Sequence, residues 1–468
     1  MSRRLKFGTD GWRAVIAEDF TFENVRIIAQ AVADYVKAEG YEDKGIAIGY
    51  DTRFMSDKFA RTIADVVASN GIRVLLSKMI CPTPVLSWVV FNRKMAGGIM
   101  VTASHNPYYY NGIKFKGAYG GSAMVLMTRA IEAQLGENPP QVKARIAKAN
   151  TEIVDFFPEY KDHLRQYINF DRINTFKKTV VIDSMYGAGL RYLTALLDES
   201  RINLVSIHDY PNPDFAGTLP EPILKNLTDL QEAISKHGAD IGFATDGDAD
   251  RFGMLDKHGH FIELHDLMPI LFEYLVQDRK WDGDVVRTTS MHNTIDRMAA
   301  KYGRTLIEVP VGFKNVCEQM LTKDILIGGE ESGGFGYKNH IPERDGIISS
   351  LLVLEKMAST GSDLSDNIMQ LRDEYGPFSY GRIDHYFNLE KLGLNMDNLR
   401  NDPPDQMNGF RVARVSYIDG IKFYFEENAW MLIRVSQTEP LCRVYVGAER
   451  EEHVKKLLES GLERITQV

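Results

Sequence analysis

The chain has 468 residues, more than a single hydrophobic core serves, and a chain of this length is expected to form about three or four domains. Hydrophobic residues make up 44% and charged residues 25%, the balance of a globular protein rather than of a disordered or membrane-embedded one. A formal charge of −9 argues against the dense basic face that sequence-independent nucleic-acid binding or adhesion to an anionic membrane would need.

In chain order, Met1 to Phe7 is basic, but no apolar run follows, so no secretory signal is expected. No run of roughly 18 apolar residues predicts a membrane span. Cys81, Cys317 and Cys442 lie far apart and form no C-x-x-C pair, which fits a reducing compartment and a cytoplasmic location. Strands are predicted over 45–50, 72–76 and 96–101, with a helix over 56–69 capped by Ser56. The rhythm returns as strand 179–182, helix 189–197, strand 203–207, helix 227–237 and strand 240–244. It returns again as strand 285–289, helix 295–301, and strands 305–309 and 325–327. Such alternation predicts parallel sheets with crossover helices.

The last quarter differs. Strands over 411–418 and 421–426 flank an Asp419-Gly420 turn, a further strand covers 430–435, and an amphipathic helix covers 449–465. The expected fold is therefore three consecutive α/β domains with mixed, mainly parallel sheets, followed by a smaller α+β domain. Breaks are placed to give domains over 1–145, 146–260, 261–374 and 375–468.

Four segments carry chemistry. Asp246-Gly-Asp-Ala-Asp-Arg251 follows a predicted strand and sets carboxylates at alternate positions. Alternate side chains in extended chain point the same way, and anions so close repel unless a cation lies between them. Oxygen ligands suit Mg²⁺. An EF-hand would need Gly and Glu where Arg251 and Lys257 stand, and the alternative of a solvated acidic turn is weakened by the buried strand that feeds the triplet. Val101-Thr-Ala-Ser-His-Asn-Pro107 also follows a strand, where open α/β sheets bind ligands. Ser104 there is a candidate nucleophile, although many such serines only bond their own backbone. His105 and Lys114 are candidates for phosphate contact or proton transfer.

Gly328-Gly-Glu-Glu-Ser-Gly-Gly-Phe-Gly336 is either a flexible turn with no ligand or a backbone left open to one, with Glu330 and Ser332 offering acceptors for sugar hydroxyls. Arg434-Val-Ser-Gln-Thr-Glu-Pro440, with Arg443 beyond it, is either a capped surface turn with paired charges or a phosphate site, for which it has the guanidinium, hydroxyls and turn amides. No Walker A motif is present, and Gly187-Ala-Gly189 lacks the third glycine of a dinucleotide fingerprint.

Together with Phe7-Gly-Thr-Asp-Gly-Trp-Arg13, these segments resemble the α-D-phosphohexomutases. The resemblance implies four domains around a central cleft, each giving one loop. It makes Ser104 the phosphoserine and Asp246, Asp248 and Asp250 the ligands of one Mg²⁺, with the Ser104 phosphate completing the shell. Arg251 would steady the phosphoryl group. Glu330, Ser332 and Lys314 would read the sugar. Arg434, Ser436, Gln437, Thr438 and Arg443 would clamp the second phosphate. Arg13 and Arg53 would line the cleft. Gln437 replaces the family's usual glycine, which restricts that loop.

The implied reaction interconverts hexose 1- and 6-phosphates through a hexose 1,6-bisphosphate. Glu330-Glu331-Ser332 resembles the glucose-preferring members, with phosphomannomutase or dual activity as the alternative. A metal-dependent phosphatase and a silent sugar-phosphate binder are the non-mutase alternatives. The implied partners are small sugar phosphates, with no nucleic acid or membrane, and the enzyme would be a monomer or homodimer.

Overall fold

The computed structural model describes residue 5 and residues 11–386, 389–435 and 441–466, with the backbone alone over 389–394. Ser436, Gln437 and Thr438, and Phe7 to Asp10 of the N-terminal motif, lie outside the described residues.

Alternating burial builds the first sheet. Ile46, Ile48, Val74 and Leu76 pack towards the helices Phe22–Ala38 and Ser56–Ser69, while Ala47 and Leu75 pack towards Thr83–Asn92. Strands covered on both faces need continuous apolar runs, which Ile46–Tyr50, Val74–Ser77 and Gly97–Val101 supply. These three pair in parallel, and Tyr110–Gly117 then Trp12–Val15 extend one side antiparallel. The second sheet pairs Asn203–Ile207, Thr179–Asp183 and Ile241–Thr245 in parallel, with Phe252–Asp256 antiparallel at its edge. The third pairs Leu306–Val309, Asp284–Thr288 and Ile325–Glu330 in parallel, with Gly334–Tyr337 antiparallel at its edge. The fourth sheet has six strands, all antiparallel, and the helix Glu451–Thr466 covers it through Val454, Leu457 and Ile465.

The three α/β sheets share one device. In each, a parallel strand turns back through a short loop into an antiparallel neighbour. Those three loops hold Ser104, Asp246 to Arg251, and Glu331 to Gly333.

The first sheet also reaches beyond the expected boundary at 145. Thr151–Val154 pairs in parallel with Val74–Ser77 as an edge strand. Only two of its four residues are apolar and its middle is exposed, so it gives no strand signal in sequence. Among the described residues, no helix is long and apolar enough to cross a membrane. The three cysteines are buried and unbridged.

The third and fourth sheets meet through a buried polar contact. Lys422 Nζ donates to the Thr289 carbonyl at 2.5 Å and lies 3.3 Å from Glu308, which also accepts from the Tyr424 hydroxyl at 3.2 Å. Arg287 grips the same Glu308 at 3.1 Å. Burial, then Arg287, pushes the Lys422 ammonium down to about 7, against the opposing pull of Glu308. An undocked Lys422 would titrate near its ordinary value of about 10.4. The docked state thus binds fewer protons between those values, so docking strengthens as pH rises from about 7 to about 10. Small-angle scattering is expected to show compaction over that window, and the Lys422→Met variant should lose the dependence. Expansion of the wild type with rising pH would contradict this.

Candidate active site

The serine loop is shaped from beneath. Ser104 has φ +51°, in the left-handed region that non-glycine residues seldom occupy. Its N–H donates to Thr102 Oγ1 at 2.9 Å. Arg53, from the loop after Ile46–Tyr50, donates to four carbonyls: Ser104 at 2.6 Å, Asn106 at 2.6 Å, Pro107 at 2.8 Å and Tyr110 at 3.0 Å. Asp51 lies 3.2 Å from its Nε. Arg53 is thus a buried buttress of the serine loop, which corrects the expectation that it lines the cleft. Arg13 reaches the same loop, donating to Asn106 Oδ1 at 2.6 Å.

The aspartate loop meets it directly. Ser104 Oγ donates to Asp246 Oδ2 at 2.7 Å. A Cβ on Gly247 would lie 2.3 Å from the Ser104 carbonyl oxygen, so the two loops touch backbone to backbone. Asp246, Asp248 and Asp250 are wholly buried, with oxygens within 4.8 Å of one another. Lys114 Nζ donates to Asp248 at 2.8 Å and to Asp250 at 3.1 Å. Arg344 donates to Asp250 at 2.6 Å, and Thr83 donates to Asp248.

Burial, then Asp248 and Asp250, pushes the Asp246 carboxyl well above the usual range. Burial pushes Asp250 up as well, but Arg344, Lys114 and Arg251 outweigh it and hold that carboxyl well below the range. Asp248 Oδ1 and Asp250 Oδ1 accept no hydrogen bond among the described residues. Buried carboxylate oxygens left without donors are costly unless a cation takes them. Together with Asp246 they form an all-oxygen set suited to Mg²⁺.

His105 Nδ1 lies 3.4 Å from Ser104 Oγ. Burial, then Arg251 and Arg13, hold its pKa well below the ordinary value, so the ring is neutral at pH 7. The Arg251 guanidinium comes within 4.0 Å of Asp250 and makes no hydrogen bond among the described residues.

Glu330 ends its strand buried. Its Oε1 accepts from the Gly312 N–H at 2.9 Å and its Oε2 from Arg344 Nη1 at 3.2 Å. Burial pushes its carboxyl up, with Arg344 pulling the other way. Ser332 is half-buried in the turn beyond. Lys314 is half-buried in the first turn of the helix Phe313–Thr322. Arg434 and Arg443 stand opposite each other across neighbouring strands. Arg434 Nε donates to Asp419 at 2.6 Å, and Arg443 Nε lies 3.4 Å from Asp384.

The structure therefore joins Ser104, His105, Lys114, the aspartates and Arg251 in one cluster, and Arg344 connects that cluster to Glu330. Sequence reasoning missed Arg344 and Thr83. The signal for Arg344 was the charged run Glu343-Arg344-Asp345 ahead of an apolar helix; Glu343 is buried against Lys116 at 2.6 Å, and Asp345 caps Gly346–Thr360. Thr83 carried no signal, because its partner lies 165 residues away.

Comparison with known proteins bears on the whole chain. Models of phosphoglucomutase/phosphomannomutase domains match in order: alpha/beta/alpha domain I over residues 4–141, II over 158–259, III over 264–375, and the C-terminal domain over 394–463. A phosphoglucomutase/phosphomannomutase of Thermococcus kodakarensis is 29% identical, covering 97% of each chain. A phosphoglucosamine mutase of Caldicellulosiruptor bescii is 30% identical, covering 96% of each. A crystal structure described as a phosphomannomutase from Thermus thermophilus is 36% identical with a TM-score of 0.87, covering 99% of each chain.

Proposed function

The chain belongs to the phosphoglucomutase/phosphomannomutase family of mutases, and from that premise we propose that it interconverts hexose 1-phosphate and hexose 6-phosphate, with glucose as the preferred sugar. The observation that carries this is the 2.7 Å contact between Ser104 Oγ and Asp246 inside a buried carboxylate cage.

Asp246, Asp248 and Asp250 would hold Mg²⁺, which when bound neutralises charge on a moving phosphoryl group. The chain's own residues do the rest. The bond between Ser104 Oγ and phosphorus breaks as the free sugar hydroxyl forms its bond to phosphorus; that hydroxyl gives its proton to a neighbouring base, and the departing Oγ takes one up to become the serine hydroxyl. His105 suits the proton-holding role better than Lys114, because the ring is neutral and near Oγ, whereas the Lys114 ammonium is held by two aspartates. Arg251, whose guanidinium makes no hydrogen bond among the described residues, would steady the transferring oxygens. Glu330 reads sugar hydroxyls, and Arg434 and Arg443 take the other phosphate. The hexose 1,6-bisphosphate then presents its opposite phosphoryl group to Ser104, which takes it back. The complete burial of Ser104 keeps bulk water from the phosphoserine and so favours transfer over hydrolysis.

Glu331 in the Glu330-Glu331-Ser332 triplet supports glucose, while relatives named for mannose and glucosamine supply the competitors. Coupled assays primed with hexose 1,6-bisphosphate would compare glucose, mannose and glucosamine 1-phosphates. The expected result is kcat/KM at least about tenfold higher for glucose, the size of one or two lost hydrogen bonds. A higher value for either competitor would overturn the sugar assignment, and no turnover of any would overturn the mutase reading.

A further inference from the structure

Asp419 lies in the turn between Phe410–Ser416 and Ile421–Phe425, outside every motif that marks the site in sequence. Its Oδ2 accepts two hydrogen bonds. One comes from Arg434 Nε at 2.6 Å within the fourth domain, and the other from the Val311 N–H at 3.0 Å in the third. The turn cannot drift. Ile421 pairs with Ile433, and a Cβ at Gly420, whose φ is +70°, would lie 2.2 Å from the Ile433 carbonyl oxygen. Asp419 is therefore fixed against the strand that carries Arg434.

The amide after Val311 is also held by a carboxylate. The Gly312 N–H donates to Glu330 at 2.9 Å, Glu330 accepts from Arg344 at 3.2 Å, and Arg344 donates to Asp250 at 2.6 Å. Val311 and Gly312 lead into the helix Phe313–Thr322, which carries Lys314. Consecutive amides of one loop are thus tied to the sugar reader on one side and to the phosphate arginine on the other.

We propose that Asp419 is a positioning residue, orienting Arg434 for the substrate phosphate and mooring the Val311-Gly312 loop so that phosphate and sugar are held in one register. The identity of the ligand rests on the proposed function. Arginine has a long, rotamer-rich side chain, and fixing Nε sets the plane of the guanidinium and turns its Nη1–Nη2 edge to a dianion. A carboxylate near a phosphate would ordinarily repel it. Here the charge of Asp419 is already opposed by Arg434 at 2.6 Å, so orientation outweighs repulsion.

The test compares wild type, Asp419→Ala, Asp419→Asn, Arg434→Ala and the Asp419→Ala/Arg434→Ala double variant. The readouts are initial rates with glucose 1-phosphate, calorimetric binding of inorganic phosphate, and thermal melts to confirm folding. Asp419→Ala should raise KM at least about tenfold with kcat within about threefold, as loss of uniform binding does. Asp419→Asn still accepts from Val311 and should fall between. In the Arg434→Ala background, Asp419→Ala should cost clearly less than it does in wild type, leaving only the share that comes from unmooring Val311, whereas a merely structural role would give fully additive losses. Phosphate binding should weaken in parallel. If wild type binds phosphate in an Asp419-dependent way but does not turn over glucose 1-phosphate, the sugar-phosphate reading falls and this inference stands. Tighter phosphate binding by Asp419→Ala, full additivity, or no phosphate binding by wild type would overturn it.

Discussion

Ser104→Ala is expected to lower kcat by at least about 10⁴-fold, the scale seen when a covalent nucleophile is removed. In the proposed reaction no other group can stand in for its Oγ, the atom that carries the phosphoryl group. His105 and Lys114 can hold a proton or stabilise charge, but neither sits where Oγ does, 2.7 Å from Asp246. Sugar-phosphate affinity should stay within about threefold, because the groups assigned to the sugar and the second phosphate are untouched. The variant should fold. A lost donor to a buried carboxylate costs about 1–3 kcal/mol, which a stable multidomain enzyme can absorb. Calorimetric binding of glucose 1-phosphate and initial rates on one preparation test both halves. Activity within tenfold of wild type would remove Ser104 from the mechanism.

Asp248→Asn should raise the Mg²⁺ concentration for half-maximal activity by at least about 100-fold, since a direct ligand matters more than the outer partners whose loss costs 10–100-fold. One Asp248 oxygen is already taken by Lys114 and Thr83, and the other has no donor. An amide supplies an oxygen for only one of these duties and brings an N–H₂ towards Lys114 or the cation. A second readout does not depend on turnover. A ligand at 100 times its Kd stabilises the folded state by about 2.7 kcal/mol, so Mg²⁺ should raise the wild-type melting temperature. That increment should largely vanish in Asp248→Asn. An undiminished rise would place the cation elsewhere.

Much of the site was legible because its chemistry is compressed into short segments. Alternate aspartates after an apolar strand state their purpose within five residues, and Ser104 likewise follows a buried strand. What stayed hidden comes from tertiary approach. The contacts of Arg53 with Ser104, Arg344 with Asp250 and Thr83 with Asp248 span 51 to 165 residues, so no local pattern announces those pairings. The fold shows the same division. Alternating strands and helices pointed to three α/β sheets, but not to the antiparallel return that closes each one beside a candidate site loop. The helix Gly346–Thr360 is buried from Gly346 through Met357, so it has no polar stripe to betray a helical period. Leu264–Gln277 is nearly as covered and holds Pro269, which reads as a breaker. The helix Phe22–Ala38 went unread although it carries a local signal: Thr21 caps it and accepts from the Asn24 N–H at 3.3 Å.

The bare Cα of Gly247 against the Ser104 carbonyl acts as a mechanical stop. Its thickness limits how closely the Ser104 loop approaches the loop that carries the carboxylates, and no side chain can swing aside to alter it. In the proposed reaction the spacing between Ser104 and the aspartates is thus written into the backbones of loops from two separate sheets. On that proposal, a neighbouring side chain exchanged to admit another sugar would leave this backbone spacing intact.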